Sequence, residues 1–87
     1  MPSYLVEMYL AGGHERHLAS CRRRARSAAA ELSQVSFDRS IHVPEDEICF
    51  FVFDAPSSLE AVLLAERAGL DHLRVVEAIP SGEEYRS

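Results

Sequence analysis

The feature that most constrains this sequence is a run of six apolar residues at positions 48–53, which reads Ile-Cys-Phe-Phe-Val-Phe. Successive side chains of a β-strand point to opposite faces of the sheet, so a strand made of this run is apolar on both faces. Such a strand is typical of the centre of a sheet. Phe51 and Phe53 point one way and Phe50 and Val52 the other, so each pair needs its own cover.

The residues before this run predict its partner strand. Residues 35–43 show partial alternation, with Phe37, Ile41 and Val43 expected on one side and polar residues on the other. The intervening turn, Pro-Glu-Asp-Glu at 44–47, is short enough to join the two strands as a hairpin. The alternating strand is therefore predicted at the edge of the sheet, beside the apolar run.

Two other stretches have helical periodicity. The first carries a narrow stripe of small and apolar residues, namely Leu18, Cys21, Ala25, Ala28, Ala29 and Leu32. In the second, Ser57 and Glu60 fit a capping box, and Gly69 fits a C-terminal stop. Leu59 and Leu63 lie off the core face of this second helix and are spare apolar surface.

Two more strands, predicted at residues 3–10 and 73–79, complete the order β-α-β-β-α-β. This order predicts an α+β ferredoxin-like sandwich, with a four-stranded antiparallel sheet and both helices on one face. The other sheet face stays open and apolar, so a homodimer through that face is expected. We predict a single domain over residues 1–80 and a polar C-terminal tail over 81–87.

Composition narrows the functional classes. The 87 residues carry a net charge of −5, which argues against a nucleic-acid partner. There is no apolar run of membrane-spanning length and no basic start to a secretory signal, which predicts a cytoplasmic protein without a membrane partner. No glycine-rich phosphate loop is present, so no nucleotide cofactor is expected. Five arginines in the first helix are interpreted as a solvated face, with binding of phosphate or an acidic partner as the alternative.

Several segments resemble a known family. They are Ile-His-Val-Pro-Glu-Asp-Glu-Ile-Cys-Phe at 41–50, Phe-Asp-Ala-Pro-Ser at 53–57, and Glu-Arg-Ala-Gly-Leu at 66–70. The chain resembles a group of small bacterial domains of unassigned function, whose best-understood relatives are nickel-binding proteins with a dimeric ferredoxin-like fold. The resemblance implies the fold and the dimer, and it suggests nickel or another divalent transition metal as the cofactor. The first strand, however, holds Glu7 and Met8 and no histidine.

The hairpin supplies the sharpest candidate site. A turn centred on residues 45–46 sets Val43 opposite Ile48 and His42 opposite Cys49, with Cβ atoms about 5 Å apart. An imidazole and a thiol at this range suit a borderline-soft metal such as nickel or zinc, or a thiolate–imidazolium nucleophile pair. The alternative is a buried, inert Cys49 beside an edge histidine.

Two acidic residues interrupt apolar strands that should be neighbours, Glu7 in the first and Glu77 in the last. A carboxylate within a sheet needs a partner, because an unpaired buried charge is costly. Arg39, Arg74 or His72 are possible ion-pair partners. Alternatively, Glu7 on the open face would serve as a general base.

The first helix offers a further group of metal-ligand types. His14, His17 and Cys21 are three and four residues apart and would project from neighbouring positions. Cys21 lies in the middle of the core stripe, where a metal would displace packing.

These observations lead to one functional prediction with two alternatives. The prediction is a small dimeric binding protein that holds a transition metal or a small ligand in a pocket on the open face, lined by Glu7, His42 and Cys49. The first alternative is a cofactor-independent enzyme in which Glu7 or His42 moves protons in the dimer cavity. The second is a non-catalytic interaction module that docks a partner through Leu59, Leu63 and the arginine-rich helix.

Overall fold

The computed structural model describes residues 1–11 and 15–79. Its strands and helices are β1 (Ser3–Tyr9), α1 (Glu15–Ala30), β2 (Ser36–Val43), β3 (Ile48–Asp54), α2 (Ser58–Arg67) and β4 (His72–Ala78). One sheet contains all four strands in the order β2-β3-β1-β4, and every neighbouring pair is antiparallel. The predicted α+β ferredoxin-like fold is confirmed, with the apolar run as a central strand and β2 at an edge.

Both helices pack on the same face of the sheet. The core between the two layers contains Val6, Phe51, Phe53 and Leu64, each 0% exposed. The stripe predicted for α1 is confirmed, because its cysteine and three of its alanines are buried and both leucines are partly buried. The molecule is only 18 Å across in its shortest dimension, as expected for one sheet and one layer of helices.

The alternation along β3 assigns its aromatic residues to the two faces. Phe51 and Phe53 point toward the helices, whereas Phe50 and Val52 point to the uncovered side. The described part of the chain therefore leaves one apolar sheet face without a covering layer.

A β-bulge in β2 overturns one detail of the predicted alternation. The register against β3 shifts between Phe37 and Arg39, so an extra residue stands in the edge strand. Phe37 consequently faces the helices, with its ring centroid 5.3 Å from that of Phe53. Ile41 pairs with Phe50 on the opposite side. The sequence prediction that Phe37 and Ile41 share a face is therefore wrong.

The ends of α2 follow the predicted signals in part. Ser57 is the N-cap residue, but its hydroxyl donates to the Glu60 carboxylate at 2.7 Å instead of accepting from a backbone N–H. At the other end, Gly69 has a φ of +70°. Its N–H donates to the Glu66 carbonyl at 3.0 Å, and Leu70 N–H donates to the Ala65 carbonyl at 3.0 Å. These two bonds form a Schellman motif, which confirms Gly69 as the stop.

Candidate functional site

The hairpin brings His42 and Cys49 together as predicted. They are directly opposed in the ladder between β2 and β3, and Val43 opposes Ile48 in the same register. Both side chains lie on the helix side of the sheet, because Cys49 shares the face of Phe51. Cys49 is 0% exposed, and the His42 Nε2 atom is buried without a hydrogen-bond partner among the described residues.

Burial determines the chemistry of the Cys49 thiol. Loss of solvent, with a smaller contribution from the neighbouring Cys21 thiol, raises its pKa from a reference value of 9.0 to about 11. Arg22 and a backbone hydrogen bond at Ile41 oppose this rise, but they do not outweigh it. The thiol therefore keeps its proton at neutral pH, and the geometry favours an inert thiol over a thiolate–imidazolium nucleophile pair.

Glu7 lies on the opposite side of the sheet from His42 and Cys49. It opposes Phe50 in β3 and Arg74 in β4, and it shares their open face. The single predicted pocket lined by Glu7, His42 and Cys49 is therefore wrong as a geometric arrangement. The reason is that β3 is apolar at almost every position. Its sequence therefore shows no alternation of polar and apolar residues that would indicate which face carries Cys49.

An ion pair engages Glu7 on the open face. The Arg74 Nε donates to the Glu7 Oε1 at 2.6 Å, and the Glu7 side chain is only 12% exposed. Arg74 was one of the partners predicted for the acidic residues, and it satisfies the Glu7 carboxylate in the way a largely buried charge requires. Glu77 instead opposes Tyr4 on the helix side and is exposed at the edge of the sheet.

The two candidates on α1 that the structure describes, His17 and Cys21, lie close to each other. His17 Nε2 lies 3.8 Å from the Sγ of the buried Cys21, and the Arg24 Nη2 donates to that sulfur at 3.2 Å. His14 lies outside the described residues. Over residues 1–11 and 15–79, no three His, Cys, Asp or Glu side chains form a group that could hold a metal ion.

The open face has an apolar centre and a polar rim. Its central side chains are Leu5, Ile41, Phe50, Val52 and Val76, which the strand register places in adjacent rows. Polar pairs stand around them, namely Glu7 with Arg74, Ser3 with Asp54 at 2.6 Å, Tyr9 with Glu47 at 3.3 Å, and Arg39 with Asp38 at 3.2 Å. An apolar centre with a polar rim is the usual composition of a protein interface.

Comparisons with known proteins agree with this fold. No family model matches the chain, and a search of curated proteins found no match. Among solved structures, the chain is similar to SCO4226 from Streptomyces coelicolor A3(2), with a TM-score of 0.77 and 16% identity. The likeness covers 92% of this chain and 99% of that one. At this identity it shows the fold alone.

A groove on the helix side was not anticipated from the sequence. It has a volume of about 400 Å³ and lies between α2 and the residues that follow α1, and Leu32, Val35, Glu60, Leu63 and Arg67 are among its lining residues. The exposed leucines of α2 were the one signal for it, because their positions off the core face leave them on the outside. No helix within the described ranges is long and apolar enough to cross a membrane.

Proposed function

We propose that this chain is a small homodimeric binding module that pairs through its open sheet face. The observation that carries the proposal is the apolar centre of that face, with Phe50 and Val52 in the middle of a polar rim. A short chain buries a smaller fraction of its surface than a long one, so covering this face against a second copy would add needed stability. Free thiols at Cys21 and Cys49 suit a reducing cytoplasm as its place of action.

The bound ligand is proposed to be a small, mainly apolar molecule with one polar group. The apolar side chains of two facing sheets supply most of the contacts, as in most small-molecule sites. The Glu7–Arg74 ion pair is the polar feature nearest to this apolar centre, since Glu7 opposes Phe50 in the ladder. Its carboxylate and guanidinium would orient the polar group of the ligand.

The dimer is tested by placing a charge at the centre of the open face. Phe50→Glu should convert the dimer to a monomer in sedimentation velocity. The dissociation constant of the dimer should rise at least about 100-fold, because an unpaired charge would be desolvated in the interface. Leu59→Glu is the matched control, since Leu59 is 66% exposed on the helix side, and it should stay dimeric.

Two results would contradict the proposal. If the wild-type protein sediments as a monomer at micromolar concentration, the proposed dimer is wrong. If a crystal structure of the dimer shows Phe50 and Val52 filling the space between the two sheets, the proposed ligand site is wrong. Circular dichroism of Phe50→Glu checks that its fold is retained.

Transition-metal binding, with nickel as the first candidate, is proposed as a second function. The supporting observation is the buried, unpartnered His42 Nε2 opposite Cys49, together with the resemblance in the sequence. Nickel titration of tag-free protein by calorimetry should show binding that His42→Ala weakens at least about tenfold and that the control His72→Ala preserves. If nickel does not bind, or if His42→Ala binds nickel as tightly as the wild type, this second function is wrong.

The predicted proton-transfer enzyme gains no support from the geometry. Glu7 is engaged by Arg74, and His42 lies on the helix side of the sheet, away from the proposed dimer cavity. The enzyme therefore stays a prediction from the sequence.

A further inference from the structure

The helix side of the molecule carries a groove with an apolar floor and an exposed apolar edge. Leu32 and Val35 are partly buried in it, and Leu63 stands beside them with 51% of its surface exposed. Leu59, one helical turn before Leu63 on α2, is 66% exposed and extends the same edge. We call these four residues the α2 groove. Exposed leucines next to a concavity are suited to receive an apolar side chain from another molecule.

Arginines on the neighbouring helix lie close to this groove, and we call them the α1 arginines. Helix α1 has one acidic residue against five arginines, Arg16, Arg22, Arg23, Arg24 and Arg26, although the whole chain has a net charge of −5. Arg67 connects the two regions, because it lines both the groove and a second hollow lined by Arg23, Arg24 and Ser27. The Arg67 Nε also donates to the carboxylate of Glu31, the residue that follows α1, at 3.0 Å.

Two of these arginines are available to a partner. Within residues 1–11 and 15–79, Arg22 and Arg23 have no ion pair, and both line a hollow of about 370 Å³ with Arg26 and Ser27. Arg26 is held in place over the Phe37 ring, 5.3 Å from the ring centroid. Positioned guanidinium groups around a shallow hollow are suited to carboxylates, which they bind in a bidentate manner.

We propose that the α2 groove and the α1 arginines together form a docking site for an acidic segment of a partner protein. One bulky apolar side chain of that segment would insert beside Leu63, and its carboxylates would meet Arg22 and Arg23. Charge complementarity selects this partner. A nucleic acid could meet the arginines, but it has no apolar side chain to fill the groove.

The docking site is independent of the dimer proposed above. The α2 groove lies on the helix layer, whereas the proposed dimer forms through the open face on the other side of the sheet. Either proposal can fail without the other.

Peptide selection tests the docking site with the full chain. A randomised peptide library displayed on phage should yield acidic peptides with one large apolar residue, and a fluorescein-labelled copy of the best peptide should bind saturably by anisotropy. Leu63→Ser and Arg23→Glu should each weaken this binding at least about tenfold, because one removes the apolar contact and the other reverses a charge. Added salt should weaken it as well.

Two control variants make the result specific. Leu73→Ser removes another leucine, 61% exposed on β4, and Arg39→Glu reverses another exposed arginine, on β2. Both should bind the peptide like the wild type. The proposal is overturned if no peptide is enriched, if Leu63→Ser and Arg23→Glu bind unchanged, or if a short DNA duplex displaces the peptide at equal affinity. Higher-order assembly of the free protein that Arg23→Glu abolishes would instead assign the surface to a second copy of the chain.

Discussion

The Cys49 thiol illustrates how a side chain's surroundings, more than its type, set its chemistry. It is completely buried between the sheet and α1, and its pKa is raised to about 11 mainly by loss of solvent. A raised pKa means that the folded state binds the proton more tightly than the unfolded state does. Protein stability is therefore linked to the protonation of this one thiol.

The first prediction concerns alkaline pH. As the pH rises above 9.0, the unfolded Cys49 loses its proton while the folded residue keeps it up to about pH 11. The stabilisation is complete below pH 9 and is lost as the pH approaches 11, at a cost of about 3 kcal/mol. Urea unfolding at several pH values should show that Cys49→Ala loses less stability than the wild type over this range.

Groups that do not interact with Cys49 contribute equally to the wild type and to Cys49→Ala, so their contributions cancel in the difference between the two profiles. Parallel pH profiles for the wild type and Cys49→Ala would show that the thiol is not protected from ionisation by burial.

Residue-level predictions from the sequence succeeded where a local rule applied. The His42–Cys49 pairing was predictable because the turn position fixes the register of a hairpin. The face that carries Cys49 was not predictable, because its strand is apolar at every position and both orientations fit the pattern. Because the face of Cys49 was unknown, the sequence prediction wrongly grouped Glu7 in one pocket with His42 and Cys49.

At the scale of elements, the bulge in β2 and the end of α2 show the same contrast. The sequence pattern places Phe37 on the apolar side of β2, and no glycine or proline near it indicates the bulge between Phe37 and Arg39. In the structure Phe37 packs against Phe51 and Phe53, and such packing is a tertiary effect that local sequence does not encode. The end of α2 was predictable, because only a residue that tolerates a left-handed backbone fits there.

The second prediction concerns that helix end. Gly69→Ala should lower the free energy of unfolding by about 1–2 kcal/mol, because a residue with a Cβ is strained at a φ of +70°. The added Cβ would also approach the Arg24 Nη1 to 3.0 Å, a contact that the flexible end of the side chain can relieve. Urea denaturation measures the loss.

Gly69→Asn separates the two causes. Asparagine adds a Cβ at the same place but tolerates the left-handed region, so this variant should be more stable than Gly69→Ala. Equal stability of Gly69→Ala and the wild type would mean that the backbone strain is absorbed by movement of the turn.

At the scale of the whole molecule, the sequence predicted the architecture because the order of elements leaves few alternatives. Four short strands and two one-sided helices in this order have one common arrangement. The α2 groove could not be predicted, since Val35 and Leu63 are far apart in sequence and meet only after both helices have packed.

The proposed dimer also belongs to this scale, because a thin two-layer chain gains stability when its uncovered face is buried. The melting temperature of the wild type should rise with protein concentration, since association stabilises only the folded state. Phe50→Glu should remove this dependence, and Leu59→Glu should keep it. If the melting temperature of the wild type does not change with protein concentration, association through the open face is contradicted.

The placement of both helices on a single side of the sheet has a consequence for valency. Two such chains joined back to back would present their helix layers outward in opposite directions. A bivalent particle of this kind could bridge two binding segments on one assembly, and the second contact would form at a high effective concentration. Even weak attachment at each end would then give a long-lived complex.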